Sequence, residues 1–345
     1  MMRLAGTIWV SGAAGSIGSA ICRRALQFPV SHVYAQDQDE TGLFELQRRV
    51  GGGDERFTPV LCSLGSDNLR RQLGKVRPEC IIHAAAYKHV PVLERHAAAA
   101  VINNCAHTRH LLQAAAAAGC RNLLLISTDK AARPGNVLGA SKRLAELVVQ
   151  WAAKDSSLRL ASLRLPNIYG SRGSVVRIFA RQIASGGPVT VTHPEMERYF
   201  ISLRQSLHWI FAASRQAEPG VIWMPPAQLP VRVVDLAESM ITAAGKRIGA
   251  DIAVQFTGLR PGERLREPLL GPGERFQSIP GCRLRKILGP APEPFLPWVD
   301  QAIAAAESGE EAKTRRILQE FMLAIQQPPG HKFSANSAAI MDQVC

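Results

Sequence analysis

Between residues 7 and 18 the chain passes from a short β-branched run, Thr7-Ile8-Trp9-Val10, through Ser11-Gly12-Ala13-Ala14-Gly15-Ser16-Ile17-Gly18 into a helical stretch. No other feature restricts the fold as much. A G-x-x-G-x-x-G turn between strand and helix lets the backbone bend tightly and approach a ligand closely. It also aims the free N–H groups and positive dipole end of the helix at a pyrophosphate. Residues 32–35, 80–83 and 123–127 are further short apolar runs that predict buried parallel strands. Helical stretches at 17–26, 97–118 and 141–153 alternate with them, the pattern of a doubly wound α/β sheet covered on both faces. Asp37 ends the second run. An acid there accepts hydrogen bonds from an adenosine ribose and repels a 2′-phosphate, and the neighbouring Gln36 offers no cation, so NAD is expected rather than NADP.

Past a strand expected at 160–165, glycines at 170–173 and 186–187 and prolines at 225, 226 and 230 break the alternation. This predicts a dinucleotide-binding domain over 1–165, rejoined by about 200–228. Residues 166–199 and 229–327 are expected to form a smaller substrate lobe, with a terminal helix at 309–325 and a loose tail at 328–345. With 46% hydrophobic and 20% charged residues the chain is globular. No run approaches the length of a membrane span, and the stretch before the first glycine turn is too short for a signal peptide, so no stable membrane insertion is expected. Seven scattered cysteines without CxxC spacing argue against a disulfide framework or a metal site and for a reducing cytoplasm. A formal charge of +13 suits nucleic acid, anionic membranes or small anionic substrates, and the basic residues form no run of five.

The last of the four strands ends in Ile126-Ser127-Thr128-Asp129-Lys130-Ala131. Ligands of doubly wound sheets bind beyond the carboxyl ends of the strands, so Asp129 and Lys130 are placed for chemistry. Five segments then occur in one order: His83-Ala84-Ala85-Ala86-Tyr87-Lys88-His89-Val90-Pro91; Ser127-Thr128-Asp129-Lys130-Ala131; Gly170-Ser171-Arg172-Gly173-Ser174-Val175-Val176; Val191-Thr192-His193-Pro194-Glu195-Met196-Glu197-Arg198-Tyr199-Phe200; and Gly258-Leu259-Arg260-Pro261-Gly262-Glu263. In these the chain resembles the UDP-N-acetylglucosamine 4,6-dehydratases, the polysaccharide-biosynthesis branch of the extended short-chain dehydrogenases/reductases. The fourth segment is similar to the larger, usually membrane-anchored members, whose membrane-spanning N-terminal region this chain is read as lacking.

The resemblance implies an extended Rossmann fold and a three-stage reaction on a UDP-amino sugar. Carbon 4 is oxidised by NAD, water is lost across carbons 5 and 6, and the hydride returns to carbon 6. It makes Asp129 the general acid and Lys130 the base at carbon 5, with Thr128 beside them and Lys142 on the nicotinamide ribose. The dinucleotide falls to Gly12, Ala14, Gly15, Ser16, Ile17, Gly18, Asp37, Gln38, Ala84, Ala85, Ala86 and Lys142. The substrate falls to Lys88, Asn104, Leu138, Asn167, Arg172, Arg198 and Arg260, arginine suiting phosphate through paired hydrogen bonds. His83 and His193 are read as structural. The family's usual tyrosine is Leu138 here, its acid near the adenine is Ser63, its Gly-Asn is Pro166-Asn167, and a proline is Arg177. The partner expected is the nucleotide sugar, within a homo-oligomer and without nucleic acid. Two other readings stay open: a UDP-sugar 4-epimerase of the same fold, and a silent nucleotide-sugar-binding protein. The first normally keeps the tyrosine, and the second would not need Asp129 and Lys130.

Overall fold

The computed structural model describes residues 6–327 apart from residues 217, 227 and 228. The first half runs β1 (Gly6–Ser11), α1 (Ser16–Ala25), β2 (Val30–Asp37), α2 (Glu40–Val50), β3 (Phe57–Leu61), α3 (Asp67–Val76) and β4 (Cys80–His83). Two short helices, α4 (Val90–Leu93) and α5 (Ala97–Val101), lead through a π-helical turn (Ile102–Ala106) into α6 (His107–Ala117). Then come β5 (Asn122–Thr128), a single 3₁₀ turn (Asp129–Ala131), α7 (Val137–Ala152) and β6 (Arg159–Leu165). The second half holds β7 (Asn167–Ile168), α8 (Val175–Ala184), β8 (Val189–Val191), β9 (Glu197–Arg198), β10 (Phe200–Ile201), α9 (Leu203–Arg215) and β11 (Val221–Met224). It closes with β12 (Val231–Arg232), α10 (Val233–Ala243), β13 (Val254–Phe256), β14 (Arg275–Ile279), β15 (Cys282–Leu288), α11 (Leu296–Glu307) and α12 (Glu311–Ala324).

Nine strands form one sheet in the order β14-β15-β11-β6-β5-β4-β1-β2-β3, with β14 and β15 antiparallel at one edge and the others parallel. The central strands are nearly continuous apolar runs because both faces are covered. Leu123 and Leu125 of β5 face the core under α3, α6, α7, α11 and α12, while Leu124 and Ile126 face the one under α1, α2 and α9. A smaller cluster (Phe179, Val191, Val233, Ala237, Ile252) binds α8, β8 and α10 together apart from the sheet. From β1 the chain moves outward to β2 and β3, then crosses to β4 on the other side of β1. The connections after β1 and β4 therefore diverge, and their divergence opens a crevice at the carboxyl ends of the strands.

The sequence reading needs correction at the end of the chain. Residues 229–327 do not all belong to the smaller part: β14 and β15 extend the main sheet, and α11 and α12 pack on α5 and α7. The strand β3 also went unread, being short, interrupted by Pro59 and at the sheet edge. Among the described residues no helix is long and apolar enough to cross a membrane. The tail expected at 328–345 lies outside the described residues.

Candidate active site

The turn after β1 is held by its own backbone. The Gly15 N–H donates to the Gly12 carbonyl (3.1 Å) and the Ala13 N–H to the Gln36 carbonyl (3.0 Å), tying the turn to β2. Gly12 has φ +70°, and a Cβ on it would lie 2.5 Å from the Ala85 nitrogen. A Cβ on Gly18 would overlap the Gly12 carbonyl oxygen, so α1 presses on the strand with backbone alone. No side chain caps α1, which leaves its leading N–H groups for an anion. Asp37 fastens the other side: Oδ2 accepts from the Ala14 N–H (2.9 Å), and Oδ1 from those of Gln38 (2.8 Å) and Asp39 (3.1 Å). The Ala84 N–H donates to the Ser11 carbonyl (3.1 Å), drawing the loop of Ala84, Ala85 and Ala86 across the end of β1. Gln36 is 2% exposed and turned inward, its amide donating to the Cys62 carbonyl, so it offers nothing to a 2′-phosphate. This cradle fits the pyrophosphate of a dinucleotide, with Ser16 and Ile17 at its helix end.

At the carboxyl end of β5 the chain tightens into the Asp129–Ala131 turn. Asp129 is 0% exposed. Its Oδ1 accepts from Thr128 Oγ1 (2.9 Å) and from Lys130 Nζ (3.0 Å), whereas the equally buried Oδ2 has no partner. Lys130 Nζ also donates to Asn167 Oδ1 (3.3 Å), and the Asn167 amide donates to the Tyr199 carbonyl (3.3 Å). Lys142, one helix turn below the start of α7, donates to the Ile126 carbonyl (2.8 Å) and keeps two further donors. Burial lowers its pKa to about 8, with Glu146 and Cys105 opposing. Leu138 is buried at the head of the same helix.

Asn104, expected to contact substrate, has its side chain held within the protein. It is 0% exposed in the π turn, and its amide is fully engaged: Oδ1 accepts from the Tyr87 N–H (2.8 Å) and from Asn103, while Nδ2 donates to the Tyr87 carbonyl (3.1 Å) and Ser141 Oγ (3.0 Å). It clamps the peptide before Lys88 instead. Arg198 is engaged in part: Nη1 donates to the Glu197 (2.7 Å) and Leu265 (3.1 Å) carbonyls, and Nη2 lies 3.9 Å from Glu267. Lys88, Arg172 and Arg260 are exposed. Lys88 reaches Ser171 Oγ (3.5 Å), and burial, then Arg172 and Arg177, holds it below the ordinary lysine range. The Arg172 N–H donates to Ser16 Oγ (2.8 Å), so residues 170–174 strap the substrate side onto the dinucleotide cradle.

His83 is structural. Thr108 gives its hydroxyl proton to the Asn104 carbonyl (2.8 Å), so His83 Nε2 must donate to Thr108 (3.0 Å) and Nδ1 accept from Ser11 (2.6 Å). Burial, reinforced by Lys142, lowers its pKa to about 3 and keeps it neutral. His193 accepts the Glu195 N–H (3.1 Å) within its own turn. Sequence reasoning missed a buried cluster of Arg143, Glu146, Arg164 and Glu274 beneath the site. Charges spaced along an amphipathic helix read as a solvated face, and nothing local announces that β14 and β15 cover them.

A family model described as polysaccharide biosynthesis protein matches residues 8–283. The capsular polysaccharide biosynthesis protein CapD of Staphylococcus aureus is 38% identical over 273 residues, 78% of this chain but 45% of that protein. The chain thus spans about half the length of this curated relative. A UDP-N-acetylglucosamine 4,6-dehydratase (inverting) of Campylobacter jejuni is 27% identical over 271 residues, 76% of this chain and 77% of its own, and UDP-glucose 4-epimerases of Rickettsia match at 27–28%. Among solved structures, Pen from Bacillus thuringiensis shares the fold with a TM-score of 0.76 at 26% identity, covering 84% of this chain and 90% of that one. NAD-bound dehydratases and epimerases of nucleotide sugars share it at 20–22% identity.

Proposed function

The chain belongs to the polysaccharide biosynthesis protein family, and from that premise we propose that it is an NAD-dependent 4,6-dehydratase of UDP-N-acetylglucosamine. One observation carries the reading: a buried carboxylate with one oxygen filled by Thr128 and Lys130 and the other free. A buried carboxylate oxygen without a partner is costly unless a proton or ligand hydroxyl completes it. NAD held in the cradle would supply the hydride acceptor for carbon 4 and, once reduced, the hydride donor for carbon 6. Asp129 Oδ2 takes the proton from oxygen 4 and, now neutral, delivers it to the hydroxyl leaving carbon 6. Lys130, held by Asn167, takes the proton from carbon 5 and gives one back there. Neither residue gains or loses a proton over the cycle, so no titrating tyrosine is needed where Leu138 stands.

In this reading Lys142 holds the nicotinamide ribose with its spare donors. The uridine diphosphate falls to Arg172 and Arg260, whose guanidinium groups are exposed, and to Lys88. The presence of 4-epimerases among the relatives makes the product the deciding measurement. The protein is incubated with UDP-N-acetylglucosamine in deuterium oxide and the nucleotide sugar read by mass spectrometry and NMR. Loss of one water with deuterium at carbon 5 is expected. An isomer of unchanged mass would overturn the reading.

A further inference from the structure

Four charged side chains lie directly beneath the acid–lysine pair, and the chemistry proposed above uses none of them. Arg143 and Glu146 come from α7, Arg164 from β6 and Glu274 from the turn entering β14; all are 0–2% exposed. Glu146 accepts from Arg164 (2.8 and 2.9 Å) and Arg143 (2.9 Å). Glu274 accepts from both terminal nitrogens of Arg164 (2.6 and 2.8 Å) and lies 3.6 Å from Arg143. Two cations and two anions leave the cluster neutral. Desolvation makes such a cluster no more stable than well-packed apolar side chains of the same volume, so stability alone does not account for it.

Its connections do. Ser127 faces Arg164 in the register of β5 on β6 and donates to Glu146 (2.6 Å), one residue before Thr128. Arg164 stands three residues before Asn167, the side chain that receives Lys130 Nζ. On the outer side Glu274 Oε2 accepts the Gly271 N–H (2.8 Å), and Gly271 lies so tightly on Ala132 that a Cβ would overlap the Ala132 carbonyl oxygen. Ala132 closes the Asp129–Ala131 turn. In the same segment Arg264 donates to the carbonyls of Arg133 (2.6 Å) and Pro134 (3.4 Å). Residues 264–274 therefore press on the catalytic turn from outside, while Glu274 reaches through to Arg164 of β6, the strand that leads through Pro166 into Asn167.

We propose that Glu274 is a positioning residue that, through Arg164, latches residues 264–274 onto the catalytic turn and fixes Lys130 against Asp129 and Asn167. The kinetic half of this rests on the dehydratase reading of the site; the structural half does not. Asp129 keeps its own hold through Thr128, so loss of the latch bears on proton removal at carbon 5 more than on oxidation at carbon 4.

Two readouts on the NAD-loaded protein test it. Hydrogen–deuterium exchange followed by mass spectrometry needs no substrate, and Glu274→Gln is expected to speed exchange of residues 129–134 by about tenfold or more. Unchanged exchange there overturns the proposal, whatever the substrate proves to be. With UDP-N-acetylglucosamine, Glu274→Gln is expected to lower kcat for water loss by about 100-fold, as for a displaced catalytic group, with KM little changed. Reduced nicotinamide should accumulate in a single turnover. Equal losses of oxidation and water loss would instead mean general damage and overturn it. The double variant Arg143→Met with Glu274→Leu removes one charge of each sign and separates folding from positioning. It is expected to melt near the wild type yet keep the kinetic defect, and recovery of wild-type water loss would reduce Glu274 to charge balance and end the proposal. If the wild type itself releases no water, the dehydratase reading fails and the latch is judged on exchange alone.

Discussion

Asp129 holds two neighbours with one oxygen and nothing with the other, and that asymmetry makes its substitution informative. Asp129→Asn should block the first oxidation as well as water loss, by about 10²–10⁴-fold. Stopped-flow absorbance that shows normal nicotinamide reduction in this variant would remove the two-role cycle. Lys130→Ala should still oxidise carbon 4 and stall there, visible as accumulated reduced nicotinamide. Lys142 offers a test by pH. Its pKa is lowered from 10.5 to about 8 in the fold, so between those values the unfolded chain binds a proton that the folded chain does not. Stability from this group therefore rises with pH across that window, by about 3 kcal/mol in all. Urea unfolding of cofactor-free protein and of Lys142→Met should show the difference shifting in favour of the wild type from about pH 7 to about pH 10; a constant difference would contradict the burial argument. At this scale Asp129, Lys130 and Asp37 were legible because strand ends in such sheets face ligands. Asn104 and Arg198 were read as substrate contacts, and only tertiary neighbours reveal that the Asn104 amide and Arg198 Nη1 already have partners within the protein.

The glycine turn does more than bend. Gly12 needs a positive φ and close approach to Ala85, and Gly18 needs contact with the Gly12 carbonyl. Gly12→Ala and Gly18→Ala should each weaken NAD binding by about 100-fold or more and cost about 1–3 kcal/mol of stability. Calorimetric titration checks this, and wild-type affinity in either variant would refute the cradle. These elements were readable because period-two and period-3.6 patterns are local. The helix expected over 97–118 is interrupted by the π turn that carries Asn104, and a one-residue bulge leaves no periodic trace in an alanine-rich segment. Residues 275–288 were assigned to the smaller part because their partners, β11 and the rest of the sheet, lie far away in sequence.

At the scale of the molecule, α11 and α12 complete the core that covers α5 and α7. The Glu311 carboxylate accepts the N–H groups of Ala97 (2.6 Å) and Ala98 (3.0 Å), and Phe321, Leu318 and Ile303 are at most 1% exposed. A chain cut after residue 290 should therefore aggregate or bind a hydrophobic dye strongly, and a monodisperse product with a wild-type melting curve would show these helices to be dispensable. The path of the chain has a mechanical consequence. It leaves the main sheet after β6, returns through α9 to β11, leaves again for α10 and β13, and comes back as β14. Each passage is a separate covalent tether, so the smaller part has no single hinge on which to swing. The molecule is a welded frame with small doors, and the door nearest the cradle is the strap at residues 170–174. Small-angle scattering with and without NAD and UDP should differ by less than about 1 Å in radius of gyration. A larger compaction would mean that the frame itself closes.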